Sequence, residues 1–550
     1  MLRVRLFFGL LACLLALPTL AVEPKPALTD TTALPHLQKR STFTRLIVQN
    51  KPFLMMGGEL GNSSASDMAY MKPIWPKLAQ MHVNTVLTPI YWELLEPQEG
   101  QFSFALIDSL IADARQHNMK LVLLWFGAWK NSMSCYVPEW VKTDTKRFPR
   151  VQNKAGRGQE ILSPFALENL EADRKAFVAL MRHIRQLDER EQTVIMIQVE
   201  NEIGMLPDAR DHSPAANMAF QQAVPKPLMT YLQAHRATLA PALLALWQAT
   251  GFKTTGNWET VFGKSLATDE LFIAWYFAQY TNRITEAGKA QYPLPMFINA
   301  ALNRPGVKPG DYPSGGPLPH VIDVWKAGAP AIDFLSPDFY NPDFKLWNDQ
   351  YTRADNPLFI PEIKFDATVA AKAFYAIGHY GAMGFSPFSI ESTDKPAEQP
   401  IARSYELLTQ LSPLVLAQQD SKQMNGMLFD KKTAIDTIRL GSYTFICKHD
   451  YTLGWSPKAK DEEWPMTGAL IIQTAPDQFT VAGMGVVITF LSDDPSAPIA
   501  GIARIDEGRY VNGQWVAGRR LNGDQDHQGR HLRIPVEEYG IQKLTLYRYK

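Results

Sequence analysis

Short apolar runs alternate with longer stretches of helical periodicity along the first three quarters of the chain. "PFLMMGGEL" from Pro52 precedes a helix-like segment reaching Met81, and "VNTVLTPIYW" from Val83 precedes "FALIDSLIADARQHN". "MKLVLLWFGAW" from Met119 precedes a long loop and the helix-like stretch Leu167 to Leu187. "TVIMIQVENE" comes next, then an insertion near residues 205–265. After it stand "LPMFINA" (294–300), "IDFLSPDFYN" (332–341), "NPLFIPEI" (356–363) and "GAMGFSPFSI" (381–390). Near-continuous apolar strands separated by helices call for a parallel sheet covered on both faces. Eight such strands predict a (β/α)8 TIM barrel over residues 22–410, with its chemistry at the C-terminal rim.

Beyond about Leu411 the period changes to two. "GALIIQTAPDQFTVAGMGVVITFLSD" and "GIARIDEGRYVNGQWVAGRRL" alternate, and Asn512-Gly513 is a two-residue hairpin signal. The expectation is a C-terminal all-β, sandwich-like domain over residues 411–550. The Pro- and Gly-rich stretch 304–319 reads as an ordered loop after the fifth strand.

The N-terminus looks like an address. Arg3 and Arg5 precede the apolar run Leu6 to Leu17, and Thr19-Leu20-Ala21 offers a cleavage site, so residues 1–21 read as a secretory signal peptide. Secretion, to the periplasm, is the expectation. Leu10-Leu11-Ala12-Cys13 leaves a lipoprotein form open, and no later segment is apolar enough to span a bilayer.

Charge adds mainly exclusions. Lys plus Arg and Asp plus Glu each number 55, and no basic stripe tracks a phosphate backbone, so nucleic acid is not an expected partner. Cys135 and Cys447 are too few for a disulfide framework, and whether they are bridged stays open. The histidines show no metal-ligand spacing; neither a catalytic metal nor a cofactor is expected. Oligomeric state stays open.

Polar residues that end apolar strands carry the chemistry. Glu202 follows Asn201 at the end of the fourth strand candidate, and Glu362 in "FIPEI" ends the seventh, so a barrel would face them across its mouth. Carboxyl groups about 5 to 5.5 Å apart support retaining glycoside hydrolysis, one attacking the anomeric carbon and the other moving the proton. Tyr340, ending the sixth strand, is placed to orient Glu362, and Asn201 to bond the sugar 2-hydroxyl. Trp92 and Trp129 are candidate sugar platforms, Glu59 and Glu391 candidate contacts or local salt-bridge partners, and Asn131 a candidate polar contact. Alternation sends Glu200 away from Asn201, toward a structural role.

"NTVLTPIYWELLEPQEGQFSF" (84–104), "IMIQVENEIG" (195–204) and the stretch Asn50 to Leu60 resemble glycoside hydrolase family 35, the β-galactosidases. Family 42 β-galactosidases share a version of the Trp92 to Phe102 stretch. The resemblance covers roughly residues 40–400 and implies that Glu202 is the acid/base and Glu362 the nucleophile. It also implies an exo-acting enzyme on galactosylated oligosaccharides such as those of plant cell walls. The chain departs from family 35 at Thr88-Pro89-Ile90 and at "WFGAWKNSMSCYVPEW", where galactose contacts are expected. Endo-glucanase or mannanase specificity, or non-catalytic carbohydrate binding, are the alternatives.

Overall fold

The computed structural model describes residues 33–550 apart from 41, 42, 420 and 422, so the signal-peptide reading lies outside the described residues. Eight parallel strands close a barrel: β1 (Met55–Glu59), β2 (Thr85–Tyr91), β3 (Lys120–Lys130), β4 (Val194–Asn201), β5 (Met296–Ala301), β6 (Phe334–Phe339), β7 (Ile360–Ile363) and β8 (Gly384–Pro387). Each pairs with its sequence neighbours and β8 closes on β1. Every residue of β2, β4 and β6 is buried, because the strands are covered on both faces.

The outer helices that matter for the site are α1 (Leu167–Asp188), α2 (Leu266–Gln291), α3 (Val369–Tyr380) and α4 (Pro400–Gln418). The insertion after β4 folds as four short helices, Pro214–Gln221, Lys226–Ala234, Pro241–Gln248 and Trp258–Phe262, ahead of α2. A small antiparallel sheet (His36–Lys39, Thr44–Val48, Lys51–Phe53) precedes the barrel, and Gln192, just before β4, accepts the Gln49 N–H at 2.7 Å.

α4 runs across residue 411 to Gln418, and the first strand of the β region starts at Met424. A six-stranded antiparallel sheet orders as Met424–Phe429, Thr467–Ala475, Gln478–Met484, Gly540–Tyr549, Ile499–Val511 and Gln514–Leu521. Facing it is a four-stranded sheet of Ile435–Leu440, Tyr443–His449, Val486–Ser492 and Leu532–Ile534. Phe445, Phe479, Val481, Ile488 and Leu544 fill the space between them, making a sandwich. Asn512 and Gly513 both adopt positive φ between Val511 and its partner Gln514, the geometry a two-residue hairpin requires.

Glycines bring the sandwich onto the barrel. A Cβ on Gly426 would lie 2.9 Å from the His379 amide nitrogen, and one on Gly468 would lie 2.7 Å from the Ala371 carbonyl oxygen. Gly378 on α3 would reach the Gly426 Cα at 2.9 Å, so helix and sheet meet backbone to backbone. Leu470, Ile472, Ala482, Met484 and Ile541 point the same way and join the barrel's apolar core. Gly426→Val should therefore destabilise the protein by about 1–3 kcal/mol, as overpacking does, read as a fall in the urea midpoint; an unchanged midpoint would mean that the seam can open without cost.

Candidate active site

β4 carries its polar residues into the mouth by a backbone distortion. Glu200 and Glu202 both take left-handed φ, 62° and 47°, so their side chains leave the simple alternation of a strand. Asn299, on β5, accepts the Glu202 N–H at 3.0 Å and donates to Asp338 Oδ2, on β6, at 2.6 Å. Three consecutive strands are thus laced together at the level where the carboxylates stand. Asn131 Nδ2 donates to Glu202 Oε2.

Glu362 ends β7 beside them. One oxygen from each of Glu202, Asp338 and Glu362 lies within 4.8 Å of the others, and all three residues are buried. The Tyr340 hydroxyl donates to Glu362 Oε1, as its strand-end position predicts. The Tyr340 ring is half exposed, but desolvation of its hydroxyl and the Glu362 charge push the phenol's pKa up, so Tyr340 stays a donor.

Lys130, at the end of β3, supplies the countercharge. Its ammonium donates to Asn201 Oδ1 at 2.9 Å and is itself buried. Burial alone would lower its pKa, but Glu362, Glu202, Glu59 and Asp338 outweigh that and hold it above the ordinary lysine value. Burial, then Glu362, push the Glu59 carboxyl well above its usual range, and burial followed by Glu362, Glu202 and Glu59 does the same to Asp338. Burial and Glu202 raise Glu362 to about 7 against the pull of Lys130, of the Tyr340 hydroxyl and of a hydrogen bond from Glu59. Glu202, Asp338 and Glu362 are also the group, among the described residues, whose oxygens are close enough to hold a metal ion. Any such ion would share the site with the Lys130 ammonium, whose repulsion opposes it.

The structure gathers Asn201, Glu202, Tyr340, Glu362, Asn131 and Glu59 at one mouth and removes both tryptophans from it. Trp92 is fully buried, its indole N–H donating to Glu96 at 2.9 Å and its ring packed on Trp125 and Trp140. Trp129 is also fully buried, with its indole N–H on the Leu162 carbonyl and its ring against Tyr280 at 4.5 Å. Neither can serve as a sugar platform. Asn131 does reach the site, but its amide is engaged by Glu202. Glu59 lies inward against Glu362. Glu391 accepts from the Gly61 N–H at 2.8 Å and the Ser64 hydroxyl at 2.6 Å, tying down the loop after β1. Glu200 turns away from the mouth, and Trp129 N–H donates to its Oε2 at 2.7 Å.

Sequence reasoning missed Lys130, Asp338 and Asn299. Their signal was the polar residue closing each apolar run: Lys130 after "LVLLWFGAW", Asp338 in "FLSPDFY" and Asn299 in "MFINA". Cys135 and Cys447, whose pairing the sequence left open, are both free thiols.

A cleft of about 650 Å³ opens from Glu202, Asp338 and Tyr340 along Asn303, Arg304 and Asn341. Its wall is the loop after β5, held by paired backbone hydrogen bonds between Met205 and Ser314 at 2.8 and 3.1 Å. No helix among the described residues is long and apolar enough to cross a membrane.

The sequence profile of glycoside hydrolase family 42, described as a β-galactosidase, matches residues 67–239. Of the two families suggested by the sequence, the profile match is to family 42 and not to family 35. Residues 401–533 match a domain of unknown function, DUF5597. A β-galactosidase of Xanthomonas manihotis is 27% identical over 221 residues, 40% of this chain, and the chain spans about a third (33%) of that protein's length. A GH42 β-galactosidase from G. stearothermophilus aligns at a TM-score of 0.51 over 90% of this chain and 98% of its own, at 11% identity. That likeness shows the fold. The β-galactosidase of Bacillus circulans sp. alkalophilus aligns at a TM-score of 0.46 and 14% identity, over 66% of this chain and 57% of its own.

The raised Glu362 carboxyl makes stability depend on pH. Its folded pKa, about 7, lies above the ordinary glutamate value, so the folded state holds a proton there that the unfolded chain releases first. Stability from this group is complete below the unfolded value and is lost as pH rises through about 7. Glu362→Gln removes that loss and should make the protein more stable than wild type at pH 8, by at most about 3 kcal/mol, and equal to it at pH 4. Urea unfolding at the two pH values checks this; an identical difference at both would mean that the carboxyl is not held up by the fold.

Proposed function

We propose that this chain is a retaining β-galactosidase, exported to the periplasm, that removes terminal β-galactosyl residues from oligosaccharides such as those of plant cell walls. The observation that carries the reading is the Glu202 and Glu362 pair, with oxygens within 4.8 Å at the C-terminal mouth of a barrel. That spacing suits attack by one carboxylate rather than entry of a water between the two. In this mechanism Glu362 attacks the anomeric carbon while Glu202 gives its proton to the departing oxygen. Glu202 then takes a proton from water, which displaces Glu362 and restores both groups. Tyr340 and Lys130 favour the ionised form of Glu362 on which the first step depends.

Unsatisfied polar atoms supply the binding side of the argument. Asn201 Nδ2 and Asp338 Oδ1 are both buried without a protein partner. Such groups at a mouth are costly unless a ligand's hydroxyls complete them. Asn201, with its oxygen held by Lys130, presents only its N–H groups, which suits the sugar 2-hydroxyl. The family 42 match and the likeness to the Xanthomonas manihotis β-galactosidase support galactose as that sugar. Export is supported by Arg3, Arg5 and the apolar run Leu6 to Leu17.

Glu362→Ala should abolish turnover of activated and natural galactosides alike, and azide should restore cleavage with inverted stereochemistry. Glu202→Ala should instead slow substrates with poor leaving groups by orders of magnitude while sparing the first step on a dinitrophenyl galactoside. Wild-type turnover in either variant, on both substrate types, would remove that residue from the mechanism.

A pocket that pairs its buried polar atoms with the hydroxyls of one epimer rejects the other by about 10⁴-fold. Nitrophenyl β-galactoside should therefore be strongly preferred to the β-glucoside in a comparison of kcat/KM. Rates within tenfold of each other would leave a glycosidase but not a β-galactosidase.

A further inference from the structure

The fully buried carboxyl pair Glu200 and Asp173 takes no part in the mechanism above, and its surroundings give it a task. Trp125 pairs with Val199 and Lys130 with Asn201, so five steps along β3 match two along β4. Residues 126–129 bulge out of the ladder opposite Glu200, and a bulge leaves backbone N–H groups without strand partners. Here those groups end on the two acids. Trp129 N–H donates to Glu200 Oε2 at 2.7 Å, and Ala128 N–H also bonds the pair.

Asp173, on α1, is held from the far side. It accepts the Trp125 indole N–H at 2.9 Å and the Tyr280 hydroxyl, from α2, at 3.1 Å. The two carboxyls also hydrogen-bond to each other, which needs a proton between them. Burial, then the Asp173 charge, raise Glu200 well above the usual range, making it the protonated member. Gly127 makes room for this: a Cβ there would lie 2.7 Å from Glu200 Oε1 and 2.2 Å from the Trp125 indole nitrogen. Immediately past the bulge, Lys130 rejoins the ladder with its ammonium on Asn201, and Asn131 reaches Glu202.

We infer that Glu200 and Asp173 are positioning residues: bonded to each other, to the Trp129 N–H and to the Trp125 indole, they clamp the 126–129 bulge so that Lys130 and Asn131 stand against the catalytic carboxylates. The inference rests on the proposed reading of the site. The pair touches no substrate and acts through the two residues that follow the bulge.

Glu200→Gln is the conservative variant, because an amide donates to Asp173 and accepts from Trp129 as the acid does. It should keep kcat/KM on nitrophenyl galactoside within about threefold of wild type. Glu200→Ala frees the bulge and should lower kcat about 100-fold, the scale of a catalytic group misplaced by about 1 Å. It should also move the acidic limb of the pH profile upward, since a displaced Lys130 no longer favours ionised Glu362. Counting active centres with a 2-fluoro-galactoside inactivator separates this from loss of folded enzyme. If Glu200→Ala does not fold, Asp173→Asn carries the same expectation at about tenfold, because its amide would face the Trp125 and Tyr280 donors.

A variant that loses active centres while the survivors keep wild-type kcat and pH limb would reduce the pair to a structural role and overturn the inference. So would a Glu200→Gln enzyme as impaired as the alanine variant. If the wild type cleaves no glycoside, the functional reading fails by itself. The pair is then decided by the pH at which unfolding loses the Glu362 contribution: Glu200→Ala should move it upward, and an unmoved value refutes the clamp.

Discussion

One buried ammonium faces four buried carboxyl groups, and the architecture of the barrel mouth follows from that imbalance. Two carboxylates with oxygens within 4.8 Å of each other repel by about 3 kcal/mol at an effective dielectric constant of about 20, and burial adds a desolvation cost for each. Lys130 can neutralise only one of Glu59, Glu202, Asp338 and Glu362. The rest of the charge is managed by protons on Glu59 and Asp338, by the Tyr340 hydroxyl and by the Asn299 amide. A lysine is flexible and readily loses its proton when buried, so it holds this position only if its backbone is fixed. The bulge in β3 is what fixes it.

Much of this was legible along the chain, for reasons that individual residues make plain. The eight apolar runs coincide with the eight barrel strands because a parallel strand covered on both faces has few polar positions to confuse its reading. Glu202, Glu362 and Tyr340 follow directly from strand ends, since in a barrel the C-terminal end of each strand is a place in space as well as in sequence. Trp129 and Trp92 were misread for a complementary reason. Four residues of β3 leave the ladder before Lys130, so counting along the strand sends Trp129 to the wrong side, into the packing of α2. Trp92 opens a helical turn, Trp92–Leu95, that rolls its ring beneath the rim. Lys130 stayed hidden because a nine-residue apolar approach announces its bulge only through the glycine at 127.

The backbone contact between α3 and the sandwich ties the history of the two parts together. Ordinary helix-on-sheet packing leaves a layer of side chains that can be exchanged one for another while the elements shift to suit. At Gly378, Gly426 and Gly468 that layer is missing, and main chain lies on main chain. Drift in one partner cannot be absorbed by a compensating side chain in the other, so this β region is not a module to be traded freely among barrels. It has to be inherited with the helix between β7 and β8, and hence with the strand that carries Glu362.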